Sequence, residues 1–198
     1  MTLFSFFAAV CLLAEEDQVP RFRRYSTGAL TAKDYQAPVP EDRGELDAYT
    51  TTDLRFEFEY RTYRSARRVR AWTTTIDVYA VVDRSKSWNQ KPNDQRLLDH
   101  EQGHFALAHI AALRAQHHFA TSGRVSGVAS GEEQAVANLQ QDLERQVKRF
   151  MDELRDENHR YDECTQRGLN RAEQEKHRRN QREQIAALSA RLQAGHER

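Results

Sequence analysis

Leu97-Leu98-Asp99-His100-Glu101-Gln102-Gly103-His104-Phe105 is the stretch that decides how this chain folds. It sits inside a run from Gln95 to Thr121 that contains no proline and only Gly103 as a breaker, with apolar positions at Leu97, Leu98, Phe105, Leu107, Ala108, Ala111, Ala112 and Phe119. That pattern predicts a helix, with Asn93 or Asp94 as its cap. Residues four apart on a helix lie about 40° apart around the axis and one turn up, so His100 and His104 share a face. Two imidazoles so placed can share a tetrahedral zinc ion. Glu101, about 100° further round, can reach water at the metal without being a ligand, and can accept its proton and return it to a leaving amine. Two surface histidines can also fall at this spacing by chance in a chain with eight His, but Leu97, Leu98 and Phe105 place this face at the edge of a core. Gly103 costs roughly 1 kcal/mol relative to Ala, which predicts close approach of another backbone, of substrate, or tight packing. His109, His117 and His118 are expected at the surface.

Upstream, Val19 to about Asn93 carries strand and turn signals. Leu54, Phe56, Phe58 and Tyr60 alternate with Arg55, Glu57, Glu59 and Arg61, the period of a half-buried strand. A second strand is expected over Val69 to Val82, with Trp72, Thr74, Ile76, Val78 and Ala80 on one face. Arg64 to Arg68 reads as the hairpin connection between them, and the Pro38/Pro40 stretch with Glu41-Asp42-Arg43-Gly44 as a loop. Trp72 and the Ser87-Trp88 pair are expected in the core. Downstream, Thr121 to Gly131 reads as a Gly/Ser-rich link. Glu132 to about Arg167 predicts a second long helix, with Val136, Leu139, Leu143, Val147, Phe150, Met151 and Leu154 at three- and four-residue spacings and Gly168 stopping it. The remaining residues, 169–198, are strongly charged and predict a solvated or frayed helical tail.

The totals narrow the function classes. At 198 residues with 38% hydrophobic content the chain fits one domain. Thirty basic residues balance thirty acidic ones and are scattered, so no field of the kind that holds nucleic acid is expected. Leu3 to Ala14 is an uncharged apolar run followed by Glu15, Glu16 and Asp17. It is too short to span a bilayer but suits an exported leader, which predicts a signal peptide over 1–16 and a periplasmic or secreted protein. A buried N-terminal helix is the alternative. No transmembrane segment is expected beyond that leader. Removal of Cys11 with the leader leaves Cys164 as the single thiol. There is no Gly-rich phosphate loop, Ser/His/Asp arrangement or Cys ligand pair.

The motif stretch, together with Leu30-Thr31-Ala32-Lys33-Asp34-Tyr35, Ser87-Trp88 and Tyr161-Asp162-Glu163-Cys164-Thr165-Gln166-Arg167-Gly168, resembles a bacterial family of predicted secreted zinc-dependent proteases. The likeness covers roughly residues 25–175, and its HEQGHF segment is the specific part. It implies a zincin-like site whose third zinc ligand comes from the later helix, Glu132 to Gly168. The family's pattern there, Tyr-Asp-x-x-Thr-x-His-Gly, makes Asp162 and the position of Arg167 the leading candidates, and this chain has Arg167 where the family often has His. Asp162 is preferred, with His159 and Glu157 in reserve. Tyr161 is assigned an oxyanion-donor role alongside Glu101. An ion pair of Asp162 with Arg160 or Arg167 on a wet helix face is the competing reading.

The expectation is therefore an α+β domain over 17–168, an N-terminal antiparallel sheet on two long helices, zincin-like, with a charged helical tail over 169–198. It would bind Zn2+ through His100, His104 and Asp162 and act on a peptide or protein substrate. A non-catalytic zinc-stabilised binding module of the cell envelope, and an enzyme that cleaves a cell-wall amide, are the alternatives.

Overall fold

A long antiparallel hairpin forms the sheet: β3 (Thr52–Arg64) runs into β4 (Val69–Asp83) through a turn closed by Ser65 N–H donating to the Arg68 carbonyl at 2.8 Å. The computed structural model describes residues 20–196, so the signal peptide expected over 1–16 lies outside the described residues. Strand β1 (Phe22–Arg24) pairs with the end of β4, and β6 (Ser126–Ala129) pairs with its beginning, both antiparallel. Two residues each from β2 (Ala48–Tyr49) and β5 (Trp88–Asn89) form a separate small ladder.

The alternation expected for β4 holds only after its middle. Glu59 pairs with Thr75 and Tyr60 with Thr73, leaving Thr74 as an extra residue. One extra residue reverses which side chains face the core. Val69, Ala71 and Thr73 are buried before the bulge, Val78, Ala80 and Val82 after it. Trp72, expected on the face of Ile76, Val78 and Ala80, is thus on the opposite phase and half-buried.

Helix α1 (Gln95–Thr121) begins at Asp94, whose carboxylate accepts from Leu97 N–H at 3.2 Å. Helix α2 (Glu132–Thr165) buries Ala135, Leu139, Leu143, Val147, Phe150 and Leu154 along one stripe. Both lie on the core face of the sheet, meeting β4 and each other, with Phe105, Ala108 and Ala112 of α1 between them. The link expected between the two helices contains β6, drawn against α2 so closely that a Cβ on Gly127 would lie 2.1 Å from the Ala135 carbonyl oxygen. Ser87 and Trp88 are buried as expected.

The charged C-terminal stretch is α3 (Arg171–His196), continuous and docked on α1 rather than frayed. Gln181 is buried there and donates from Nε2 to the Gly103 carbonyl at 3.2 Å. The result is an α+β architecture of sheet, two helices and a third helix behind α1. No described helix is long and apolar enough to cross a membrane.

Candidate metal centre

One face of α1 and the C-terminal third of α2 bring three groups together. His100 Nε2 lies 3.0 Å and His104 Nε2 2.9 Å from the same Asp162 oxygen, Oδ1. Among the described residues this is the one His/Cys/Asp/Glu cluster whose potential ligand atoms all fall within 4.8 Å of one another. The separations approach the edge of a tetrahedron of about 2.0–2.1 Å metal bonds, about 3.3 Å.

The outer nitrogens of both rings are spoken for. His104 Nδ1 is 2.9 Å from the Asn158 amide oxygen, an acceptor, so it carries the proton. Thr165 Oγ1 gives its hydrogen to the Tyr161 carbonyl at 2.6 Å and presents a lone pair to His100 Nδ1 at 3.5 Å. Both imidazoles therefore present bare Nε2 lone pairs toward a carboxylate oxygen. That contact is favourable only with positive charge between or on the groups, which is what a bound cation supplies. Without the cation, ring protonation supplies that charge: burial alone would raise the Asp162 carboxyl, but hydrogen bonds from His100 and His104 and their charge hold it far below the usual carboxylate range. Burial opposes a proton on His104, yet Asp162, the Glu101 charge and Asn158 together raise its pKa. A hard-to-soft borderline donor set of two imidazoles and one carboxylate fits zinc, with one tetrahedral position left over.

Tyr161 holds His100 in place from below. Its ring stacks on the His100 ring with centroids 4.9 Å apart and 12° between planes, and its hydroxyl donates to the His100 carbonyl at 3.3 Å. The phenol is 2% exposed and turned toward Gly103, away from the cleft in front of the ligands. This placement gives Tyr161 a supporting position in place of the oxyanion contact expected for it. It also explains Gly103: a Cβ there would lie 2.1 Å from the Tyr161 hydroxyl oxygen. The partner that needs the glycine is a side chain, neither backbone nor substrate.

A second glycine clamps the same ring. After α2, Gln166, Arg167 and Gly168 take φ of 48°, 53° and 81°, a left-handed turn held by Arg167 N–H donating to the Asp162 carbonyl at 2.9 Å and Asn170 N–H to the Thr165 carbonyl at 2.8 Å. It presses Gly168 against His100, where a Cβ would come within 2.9 Å of the His100 Cβ.

In front of the three candidate ligands opens a cleft of about 1050 Å3, walled on one side by α1 and α2 and on the other by residues 45–52. Glu101 faces it, 4% exposed, and accepts a hydrogen bond at Oε2 from the Thr50 hydroxyl across the cleft. Tyr35 O–H contacts that Thr50 oxygen at 3.1 Å. The Tyr35 hydroxyl is kept protonated well above its ordinary pKa, first by burial and then by the Glu101 charge.

The reserve ligands are not brought into the centre. Glu157 accepts from Arg114 at 2.6 Å, and His159 lies at the cleft rim, 3.4 Å from Glu163. Arg167 also lies at the rim, with Glu45 as a distant partner at 4.0 Å. Among the described residues the Asp162 carboxylate forms an ion pair with neither Arg160 nor Arg167. His109, expected at the surface, is half-buried under Tyr25, ring centroids 4.1 Å apart.

Sequence reasoning missed Asn158, Thr50 and Tyr35, and gave Thr165 no role. The first had a signal: Asn158 precedes Asp162 by four positions and so lies on its helix face. No protein-family model, curated protein or solved structure matches the chain.

Proposed function

We propose that the protein is a zinc-dependent peptidase acting on extended polypeptide outside the cytoplasm. One observation carries the reading. Two imidazole lone pairs, each fixed by a partner on its other nitrogen, and one carboxylate oxygen converge at the floor of an open cleft, next to a carboxylate that is not one of the three. Three protein ligands are the number of a catalytic zinc, four that of a structural one. Zinc held there supplies a Lewis acid that polarises a scissile carbonyl and acidifies water.

The chain's own residues do the rest. Asn158 keeps His104, and Thr165 keeps His100, in the tautomer that binds metal. Glu101, tied at Oε2 only, has Oε1 to take a proton from the attacking water and deliver it to the leaving amine. The wall opposite the ligands suits an extended substrate. Asp83 N–H donates to the Thr51 carbonyl at 2.9 Å, so Thr51 faces β4, and in an antiparallel ladder the next residue, Thr52, turns its main-chain N–H and C=O outward. Thr52 lines the cleft, and a peptide laid along it pairs as an added strand. Location outside the cytoplasm is supported by the apolar run Leu3 to Ala14.

The test is turnover of unfolded casein by the zinc-loaded chain beside Glu101→Gln. Loss of about 10²–10⁴ in rate with zinc retained is expected of a general base. Cleavage at an undiminished rate in Glu101→Gln overturns the mechanism. No cleavage by the zinc-loaded wild type of casein, with products instead released from purified peptidoglycan, would transfer the same site to a cell-wall amide.

A further inference from the structure

We infer that Thr50 and Tyr35 are positioning residues for Glu101, linked in a one-way hydrogen-bond chain that fixes which carboxylate oxygen is left for the reaction; this rests on the peptidase reading of the same site. The direction of the chain follows from counting hydrogens. A carboxylate is an acceptor only, so the single Thr50 hydroxyl hydrogen goes to Glu101 Oε2. Thr50 Oγ1 then has only lone pairs to offer, and the 3.1 Å contact with Tyr35 must be Tyr35 O–H donating to Thr50.

Thr50 belongs to the far wall of the site, and Tyr35 joins it from outside the cleft lining. Thr50 is 8% exposed and lies between β2 and β3, on the stretch that faces the ligands across the cleft. Tyr35 follows the short 3-10 turn Ala32–Asp34, whose Asp34 is fully buried and held by Arg23 and by Arg84 at 2.9 Å. Gln36 N–H donates to the Arg84 carbonyl at 3.1 Å and Ala37 N–H to the Ser87 carbonyl at 2.9 Å, so the backbone beyond Tyr35 is tied as firmly. The donor chain therefore starts from a firmly tied base and ends on Glu101. A buried carboxylate without this partner could turn either oxygen, or a mixture, toward water; with it, Oε2 is occupied and Oε1 is the oxygen left over. Among the described residues, no other hydrogen-bond donor reaches the Glu101 carboxylate.

The experiment uses the full chain, zinc-loaded, as wild type, Thr50→Ser, Thr50→Val and Tyr35→Phe. Turnover number should fall about tenfold to a hundredfold in Thr50→Val with KM and zinc content unchanged. Thr50→Ser, which keeps the hydroxyl and carries the smaller risk to folding, should stay near wild type. Tyr35→Phe should fall less than Thr50→Val because it acts through Thr50. A second readout needs no substrate: the ¹³C resonance of the Glu101 carboxyl, assigned by its loss in Glu101→Gln, should move in Thr50→Val and return in Thr50→Ser. An unmoved resonance in Thr50→Val overturns the inference even if no peptide is ever cleaved. A moved resonance in a chain that cleaves nothing would sink the peptidase reading and leave the hydrogen-bond chain standing. Wild-type turnover in Thr50→Val, or a loss that Thr50→Ser shares in full, also overturns it.

Discussion

Two long helices pack on α1, and they do so by opposite means. Helix α2 presents an unbroken stripe of Ala135, Leu139, Leu143, Val147, Phe150 and Leu154 to the sheet and to α1, and then, toward its C-terminal end, supplies Asn158, Tyr161, Asp162 and Thr165 to the candidate site. Helix α3 buries Gln181, holds it to the Gly103 carbonyl, and sets His177 edge-on to Tyr161 at 5.4 Å. One helix is anchored by apolar area and so can carry the polar groups of the candidate site at its far end. The other is a polar cover on the back of the motif helix. The energies that follow differ accordingly.

Breaking α2 should cost most. Leu143 is fully buried, and Leu143→Ala should lower unfolding free energy by about 2–5 kcal/mol, read from denaturant midpoints. Gly103→Ala tests the seam where α2 and α3 meet α1. The added methyl collides with Tyr161, so despite the helix propensity gained, a net loss of about 1–3 kcal/mol is expected, with weaker zinc binding in a chelator competition as His100 loses its stacking partner. Gln181→Ala, on the polar helix, should cost only about 0.5–1.5 kcal/mol and leave zinc affinity unchanged. If Gln181→Ala proves as damaging as Leu143→Ala, the contrast between the helices fails.

The smallest expected effect lies on the sheet. The Arg21 hydrogen bond, with Ser85 behind it, holds the Asp83 carboxyl down to about 2 from an ordinary 3.8. A folded value below the unfolded one stabilises fully above about pH 4, and that contribution disappears as pH falls through about 2. Acid unfolding followed by circular dichroism should therefore be shallower in Asp83→Asn over that window than in wild type.

The same contrast sets what the sequence could disclose. The apolar spacing of α2 and the alternation of β3 are periodic, and both elements were legible to within a few residues. Helix α3 has few apolar positions beyond Ile185, Leu188 and Leu192, so its helicity could be read but its docking through one glutamine could not. Thr74 carries no mark of a bulge, since a run of three threonines fits either phase of a strand. At the site, His100, Glu101 and His104 were legible because helical geometry ties four residues of spacing to one face. Asp162 sits 62 positions from His100, and only a motif resemblance pointed to it. Thr50 and Tyr35 are joined to Glu101 by tertiary folding alone, and no local pattern announces such contacts.

The most direct test is the zinc content of the purified chain by elemental mass spectrometry, beside His104→Ala and Asp162→Ala. One zinc ion per chain in wild type, lost in both variants while circular dichroism shows them folded, is the expected result. No zinc in wild type after reconstitution, or zinc kept in full by folded Asp162→Ala, would contradict the metal centre described for these helices.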